Sequence, residues 1–201
     1  MCEQRKSHKA AEALDWDEAM SLIERLYDDR RYRDSLLIAC GCYMGLRISD
    51  ILTLKWRDIC SSKQISLTEK KTSKQRVMKI NRNLRLHADK CRNRLGNPSD
   101  TAFVFAGQQY GGRYPITRQR AAQILQEVKV TYRIKSAEIF STHSLRKSFG
   151  RRVWDNAIAS GKDAEFTLML LKDIFHHSSV RITQRYLGIR KDEILSVYDS
   201  L

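Results

Sequence analysis

Phe175-His176-His177-Ser178-Ser179-Val180-Arg181-Ile182-Thr183-Gln184-Arg185-Tyr186 places two imidazoles, a pair of hydroxyls and a basic turn ahead of one tyrosine. Ser178 or Ser179 can accept a hydrogen bond from the first free amides of a short helix, which predicts Val180 and Ile182 turned inward and Tyr186 at the far end. A phenol with a pKa of about 10 is a poor nucleophile at neutral pH, so it needs nearby cations and an activated electrophile. His177, Arg181 and Arg185 are close in sequence, but one short helix cannot surround a reacting group. Taken alone, a tyrosine closing an amphipathic helix is more often a half-buried packing residue. Partners for a different role have to come from elsewhere in the chain.

The chain has 201 residues, 42% of them hydrophobic, enough for one sizeable core. Lys and Arg number 37 against 23 Asp and Glu, a formal charge of +14 spread along the whole sequence. Such a surplus points to a polyanionic partner, nucleic acid ahead of a membrane surface. The five cysteines are odd in number and none forms a C-x-x-C pair, which suits reduced thiols in a cytosolic protein and argues against a zinc site. The first residues have no apolar core for a signal peptide, and no stretch reaches the length of a membrane span.

Residues 1 to about 13 are polar and charged and read as a leader or linker. Asp15 can cap a helix through about Tyr27, with Trp16, Met20, Ile23 and Leu26 at helical spacing. Tyr32 to Met44 is apolar all round and predicts the central core helix, ended by Gly45. Ser49 can cap a short new helix, which sets Arg47 on the connection with Asp50 close enough to orient it. A surface Arg-Asp pair is an equally good reading of that segment.

Between Cys60 and Ile80 the pattern alternates, and a β-hairpin fits, its charged tip running from Thr68 to Arg76. Lys70, Lys71 and Lys74 share that tip, and any of the three could reach a phosphate; a solvated turn is the common alternative. A helix over Asn83 to about Leu95, a core anchor at Phe103-Val104-Phe105 and a glycine-containing loop from Gly107 to Pro115 follow. Thr117 can cap a helix to about Tyr132 whose Arg118, Arg120 and Lys129 could lie along a DNA backbone. Thr142 to Phe149 opens another helix, with His143 and Arg146 on its first exposed face and Phe149, Val153, Trp154 and Ala157 on an apolar stripe. A helix to Phe175, the opening stretch and a short closing helix from Lys191 to Leu201 complete the chain.

In chain order the candidates are Arg47, a hairpin lysine, His143 with Arg146, His177 and Tyr186. Gly-Leu-Arg-Ile-Ser-Asp at 45 to 50, Lys71 through Arg76, His143-x-x-Arg146, and His177-Ser178-Ser179 with Tyr186 nine residues after the histidine resemble the catalytic domain of the tyrosine recombinases, the phage integrase family.

The resemblance implies a mainly α fold with a small β-hairpin, the DNA breaking-rejoining enzyme fold, over residues 14 to 201. It implies that no N-terminal core-binding domain is present, about thirteen leader residues being too few. It also implies site-specific cleavage and rejoining of DNA through a 3′-phosphotyrosine, with no cofactor and no metal. Arg47, Arg146 and His177 would hold the scissile phosphate, His143 would assist proton transfer, Lys71 would protonate the 5′ oxygen, and Tyr186 would attack. Asp50 matches an acidic position that supports the first arginine. Lys70, Lys74, Arg76, Arg118, Arg120 and Arg181 are expected DNA contacts.

The implied partner is double-stranded DNA, with a tetramer on DNA and a monomer or weak oligomer off it, in the cytoplasm of a bacterium or on a phage or mobile element. Rival readings are relaxation of DNA by a type IB topoisomerase and a DNA-binding module that does not cleave. His176 departs from the glycine common before the histidine, which puts the backbone at His177 in question.

Overall fold

A computed structural model describes residues 10–69, 71, 73, 75–108 and 112–189. Helix α1 (Trp16–Asp28) is capped by Asp15, whose carboxylate accepts from the amides of Asp17 and Glu18. Its inward residues Leu22, Ile23 and Leu26 pack against α2 (Tyr32–Met44), which is buried from Ser35 to Met44 except at Tyr43. Gly45 ends α2 in the left-handed conformation at φ 56°. The next helix, α3 (Ile48–Ile51), takes Arg47 as its N-cap with no side-chain cap, so Ser49 lies inside the helix and not at its start. A π-helical turn (Arg57–Ser61) then leads to the hairpin of β1 (Gln64–Thr68) and β2 (Gln75–Lys79), antiparallel with Ser66 opposite Val77.

Helices α4 (Arg82–Arg94), α5 (Arg118–Tyr132) and α6 (Thr142–Ala159) complete the larger core with Val104, Phe105 and Phe140. Thr117 caps α5 as expected, its hydroxyl accepting from the Arg120 amide. A capping box between Ser141 and Ser144 fixes the start of α6. Helix α6 crosses α2 closely: a Cβ at Gly41 would stand 2.5 Å from Leu145 Cβ. The far part of α6 leaves the large core, where Phe149, Val153 and Trp154 pack on a second, smaller cluster formed by α7 (Ala164–Phe175) and α8 (Val180–Leu187).

Some placements differ from expectation. Within the expected leader, Glu12 N–H bonds the Ile139 carbonyl at 3.1 Å and the Glu12 carboxylate accepts from Glu138 N–H at 2.5 Å, while just beyond it Leu14 N–H bonds Ser148 Oγ at 2.8 Å. In α8 the residues facing the core are Thr183 and Leu187, whereas Ile182 is 42% exposed and Val180 half-buried. Counting helical spacing back from Leu187 gives Thr183, so the polar residue and not Ile182 shares its face. The closing segment 191–201 lies outside the described residues. Cys40, Cys42 and Cys91 are buried and Cys60 half-buried, all as free thiols. Among the described residues no helix is long and apolar enough to cross a membrane.

Candidate active site

The site sits where three structural units meet. The α2–α3 connection brings Arg47, the start of α6 brings His143 and Arg146, and the turn from α7 into α8 brings His177 and Tyr186. Arg146 is buried to 4% exposure, which obliges its guanidinium to find acceptors. Nη1 donates to the Gly45 carbonyl at 2.6 Å, Nη2 to the Phe175 carbonyl at 3.0 Å, and the guanidinium carbon lies 4.6 Å from the Phe175 ring centroid. Burial, followed by the neighbouring Arg47 and Arg76, pulls its pKa down to about 10, which leaves it charged at neutral pH. Arg47 also donates to the Phe175 carbonyl, at 3.4 Å. Arg47, Arg146, His143, Lys71 and Arg118 border one cleft of about 870 Å³.

Tyr186 faces both histidines. Its ring centroid is 5.2 Å from that of His177 and 6.4 Å from that of His143, both edge to face, and its hydroxyl donates to the His143 carbonyl at 3.4 Å. Burial raises the phenol to about 12 although Arg146 and Arg47 pull the other way. The neighbouring cations therefore do not offset burial, and the phenol is protonated at neutral pH. Burial and the arginines depress His177 to about 4, so it is neutral at physiological pH. His143 is likewise lowered, by burial first and then by Arg146, Lys147, Lys71 and Arg47. His177 Nδ1 lies 3.0 Å from Thr183 Oγ1, which fixes the plane of the imidazole and leaves Nε2 for other contacts.

Ser179, of the two serines offered by the sequence, caps α8 through a bond from the Ile182 amide. The residue before His177 closes α7: His176 is left-handed at φ 50°, ψ 44°, with its amide and that of His177 bonding the carbonyls of Asp173 and Lys172. That is the geometry a glycine adopts freely, so the backbone at His177 is kept, at the cost of holding a side chain where L-residues are disfavoured.

Three residues do work that their sequence setting concealed. Glu69, read as part of a charged turn, is fully buried. It pairs with Arg47 Nη1, contacts Arg76 Nη1 at 3.4 Å, and stands 3.2 Å from His176 Nδ1 at ion-pair distance without aligned hydrogen-bond geometry. The signal was present: Ile65 and Leu67 face inward along β1, and the same alternation continued by one step reaches Glu69. Lys147 holds its ammonium 5.1 Å from the Tyr186 ring centroid. Thr183 is the third.

The supporting and peripheral positions are mixed. Asp50 is 2% exposed and accepts from Ser49 Oγ at 3.3 Å, and the Arg47 guanidinium is paired with Glu69. Arg76, expected to face DNA, is turned inward, donating to Glu69 and to the Met44 carbonyl. Arg118, Arg120 and Arg181 are exposed, with Arg120 paired to Glu127 at 2.6 Å. Lys129 is directed to the Glu138 carbonyl. Lys71 is exposed on the hairpin turn; Lys70 and Lys74 lie outside the described residues.

Comparison with known proteins supplies the class. Structures of similar fold include that of XerA recombinase (TM-score 0.67, 20% identity, 100% of this chain and 66% of that one). XerH site-specific recombinase bound to a palindromic difH substrate gives a TM-score of 0.68 at 19% identity, over 98% of this chain and 56% of that one. Among sequences, the probable integrase/recombinase YoeC of Bacillus subtilis is 30% identical over 182 residues, covering 88% of this chain and 92% of that protein. Tyrosine recombinase XerC of Xanthomonas axonopodis is 28% identical over 193 residues, 96% of this chain but 59% of that protein.

The fold is that of a tyrosine recombinase catalytic domain. Residues 12–193 match the phage integrase family, and the chain belongs to that family of tyrosine-type site-specific recombinases.

Proposed function

We propose that the chain cleaves and rejoins double-stranded DNA at specific sites, with Tyr186 as nucleophile. The observation that carries the reading is the packing of the Tyr186 ring against both His143 and His177, with His143 also lining the cleft bordered by Arg47 and Arg146. The phenol oxygen attacks the scissile phosphorus while its proton passes to His143, which is held neutral and able to accept it. The P–O5′ bond breaks and the 5′ oxygen takes a proton from Lys71, leaving a 3′-phosphotyrosine ester. Because the ester conserves the bond, attack by a 5′ hydroxyl in the reverse sense rejoins a strand with no external energy source.

Arg47 and Arg146 meet the charge that builds on the non-bridging oxygens, and they do so as fixed donors already desolvated before substrate arrives. His177 adds a neutral N–H. Asp50, buried in α3 just after Arg47, is assigned to support that arginine. Arg118 and Arg181, with Lys70, Lys74 and Arg120, are assigned to the DNA backbone, consistent with the net charge of +14. The working form is an oligomer, a tetramer, assembled on DNA in the cytoplasm, with a monomer or weak oligomer off it. The chemistry uses no cofactor and no metal ion.

A nicked suicide substrate, from which the cleaved 5′ fragment diffuses away, traps the ester as a covalent adduct. Wild-type protein in excess EDTA is expected to form it, and relaxed plasmid without any site dependence would instead favour the topoisomerase reading. Absence of an adduct, or cleavage that requires magnesium, overturns the proposal.

A further inference from the structure

Arg47 reaches the cleft on a long side chain anchored in a connection between two helices, and three guanidiniums crowd the same place. Like charges at this spacing push each other away, so something has to hold Arg47 to one rotamer. Glu69 meets the requirement. Its side chain has no exposure to solvent, one oxygen pairs with Arg47 Nη1 and lies 3.2 Å from His176 Nδ1, and the other lies 3.4 Å from Arg76 Nη1. Arg76 is in turn fastened to the Met44 carbonyl at the end of α2, and His176 belongs to the turn that leads into His177. The main chain of Glu69 also closes the hairpin turn, its carbonyl accepting from Ser73 N–H at 2.9 Å.

We infer that Glu69 is a positioning residue for strand cleavage: it takes one edge of the Arg47 guanidinium from beneath and so presents the remaining donors to the scissile phosphate. The inference rests on the reading of Arg47 as a phosphate ligand. A carboxylate sealed from water and sharing its two oxygens among cations can fix a guanidinium in direction as well as place. Displacement of a catalytic group by about 1 Å is enough to cost on the order of 10²-fold in rate. The Glu69 side chain is sealed from solvent, so its effect on cleavage passes through the groups it holds, Arg47 first.

The test is single-turnover adduct formation on the nicked substrate with saturating protein, beside DNA affinity measured at one salt concentration. Glu69→Gln is expected to slow adduct formation about 30-fold while affinity stays within roughly threefold. Combined with Arg47→Lys it should be no more than about threefold slower than Arg47→Lys alone, because both changes remove one function. The loss should be equal on ordinary DNA and on DNA with sulfur at the bridging 5′ position. Losses that multiply in the double variant, rescue by sulfur (which would route Glu69 through Lys71), or a single variant within threefold of wild type overturn the assignment. Should Glu69→Gln fail to fold, Glu69→Gln with Arg76→Met removes the buried carboxylate and its inner partner together, and the same rates are expected of it. Wild-type protein that forms no adduct overturns the recombinase reading and this assignment with it; an adduct in wild type with an unaffected Glu69→Gln overturns this assignment alone.

Discussion

The arginines and the tyrosine are mounted on unequal foundations. Arg47 and the start of α6 rest on the large cluster that runs from Leu14 to Leu145, whereas Tyr186 rests on a cluster whose buried members are Leu168, Leu171, Phe175, Leu187 and Ile189. Charge stabilisation loses most of its value if the donors must be reorganised during the reaction, so it belongs on the rigid side. A nucleophile has to approach, attack and later withdraw, and a small cluster permits displacement at lower cost than a large one. Helix α6 belongs to both, with Leu145 in one cluster and Phe149 and Trp154 against the other.

The largest effect expected is at the nucleophile. Tyr186→Phe should reduce covalent adduct by at least about 10⁴-fold, since the phenol oxygen is the atom assigned to the ester, with DNA affinity within roughly threefold of wild type. An adduct surviving in that variant would move the nucleophile elsewhere, Tyr198 being next in line. At the hairpin, Lys71→Ala should be about 10²- to 10³-fold slow on ordinary DNA and close to wild type with a bridging 5′ sulfur, because a thiolate, whose parent thiol has a pKa of about 8.5, leaves unprotonated. Equal slowness on both substrates would assign Lys71 to charge stabilisation. Rescue of Lys70→Ala or Lys74→Ala by sulfur would shift the acid to that residue.

Two glycines sharpen the contrast between the foundations. A Cβ on Gly150 would meet Leu187 Cδ2 at 2.6 Å and Phe175 Cζ at 2.8 Å, and one on Gly41 would meet Leu145 Cβ at 2.5 Å. Gly41→Ala should destabilise the fold by about 1–3 kcal/mol, read as a fall in thermal midpoint. Gly150→Ala should yield locally, lowering the midpoint less but slowing cleavage about tenfold as α8 shifts. Reversed ranks in the two assays would show the smaller cluster to be the stiffer.

The smallest effect is in pH. His177 and His87 are both depressed to about 4, His177 by burial and the arginines and His87 by burial and then Lys90. A histidine whose folded pKa lies below its unfolded value of about 6.5 binds protons more readily in the unfolded chain, so stability is full above pH 6.5 and declines as pH falls towards 4. His87 is half-buried on α4, 2.8 Å from the buried Ser35 Oγ. His87→Gln should flatten that decline in chemical denaturation without altering cleavage at neutral pH, and an unchanged acid slope would place the sensitivity elsewhere.

Most of the helices were legible because their caps and apolar spacing are local: Asp15, Gly45, Thr117 and the serine before Val180 each mark an end by their own chemistry. The residues gathered at the cleft were legible as a set of types in order, but their supports were not. Glu69 sits in a run of charge that resembles a solvated turn, and the long-range approach of Arg47 and Arg76, invisible in the local sequence, makes its burial tolerable. Arg76 was misplaced for the same reason, since a cation at a hairpin tip gives no local sign of turning inward. His176 shows the limit of reading glycine positions, because tertiary contacts hold a histidine in glycine's conformation.

The Phe175 carbonyl accepts from both Arg146 and Arg47, and the same peptide chain continues from it through His177 to Tyr186. The two guanidiniums and the phenol are thus surveyed from a common datum. A small drift of α7 against the rest of the molecule carries that reference point with it, so part of the error enters both positions alike and drops out of their separation. What remains is set by the short stretch between residues 175 and 186, and the accuracy of the reacting distance is a property of that stretch more than of the whole fold.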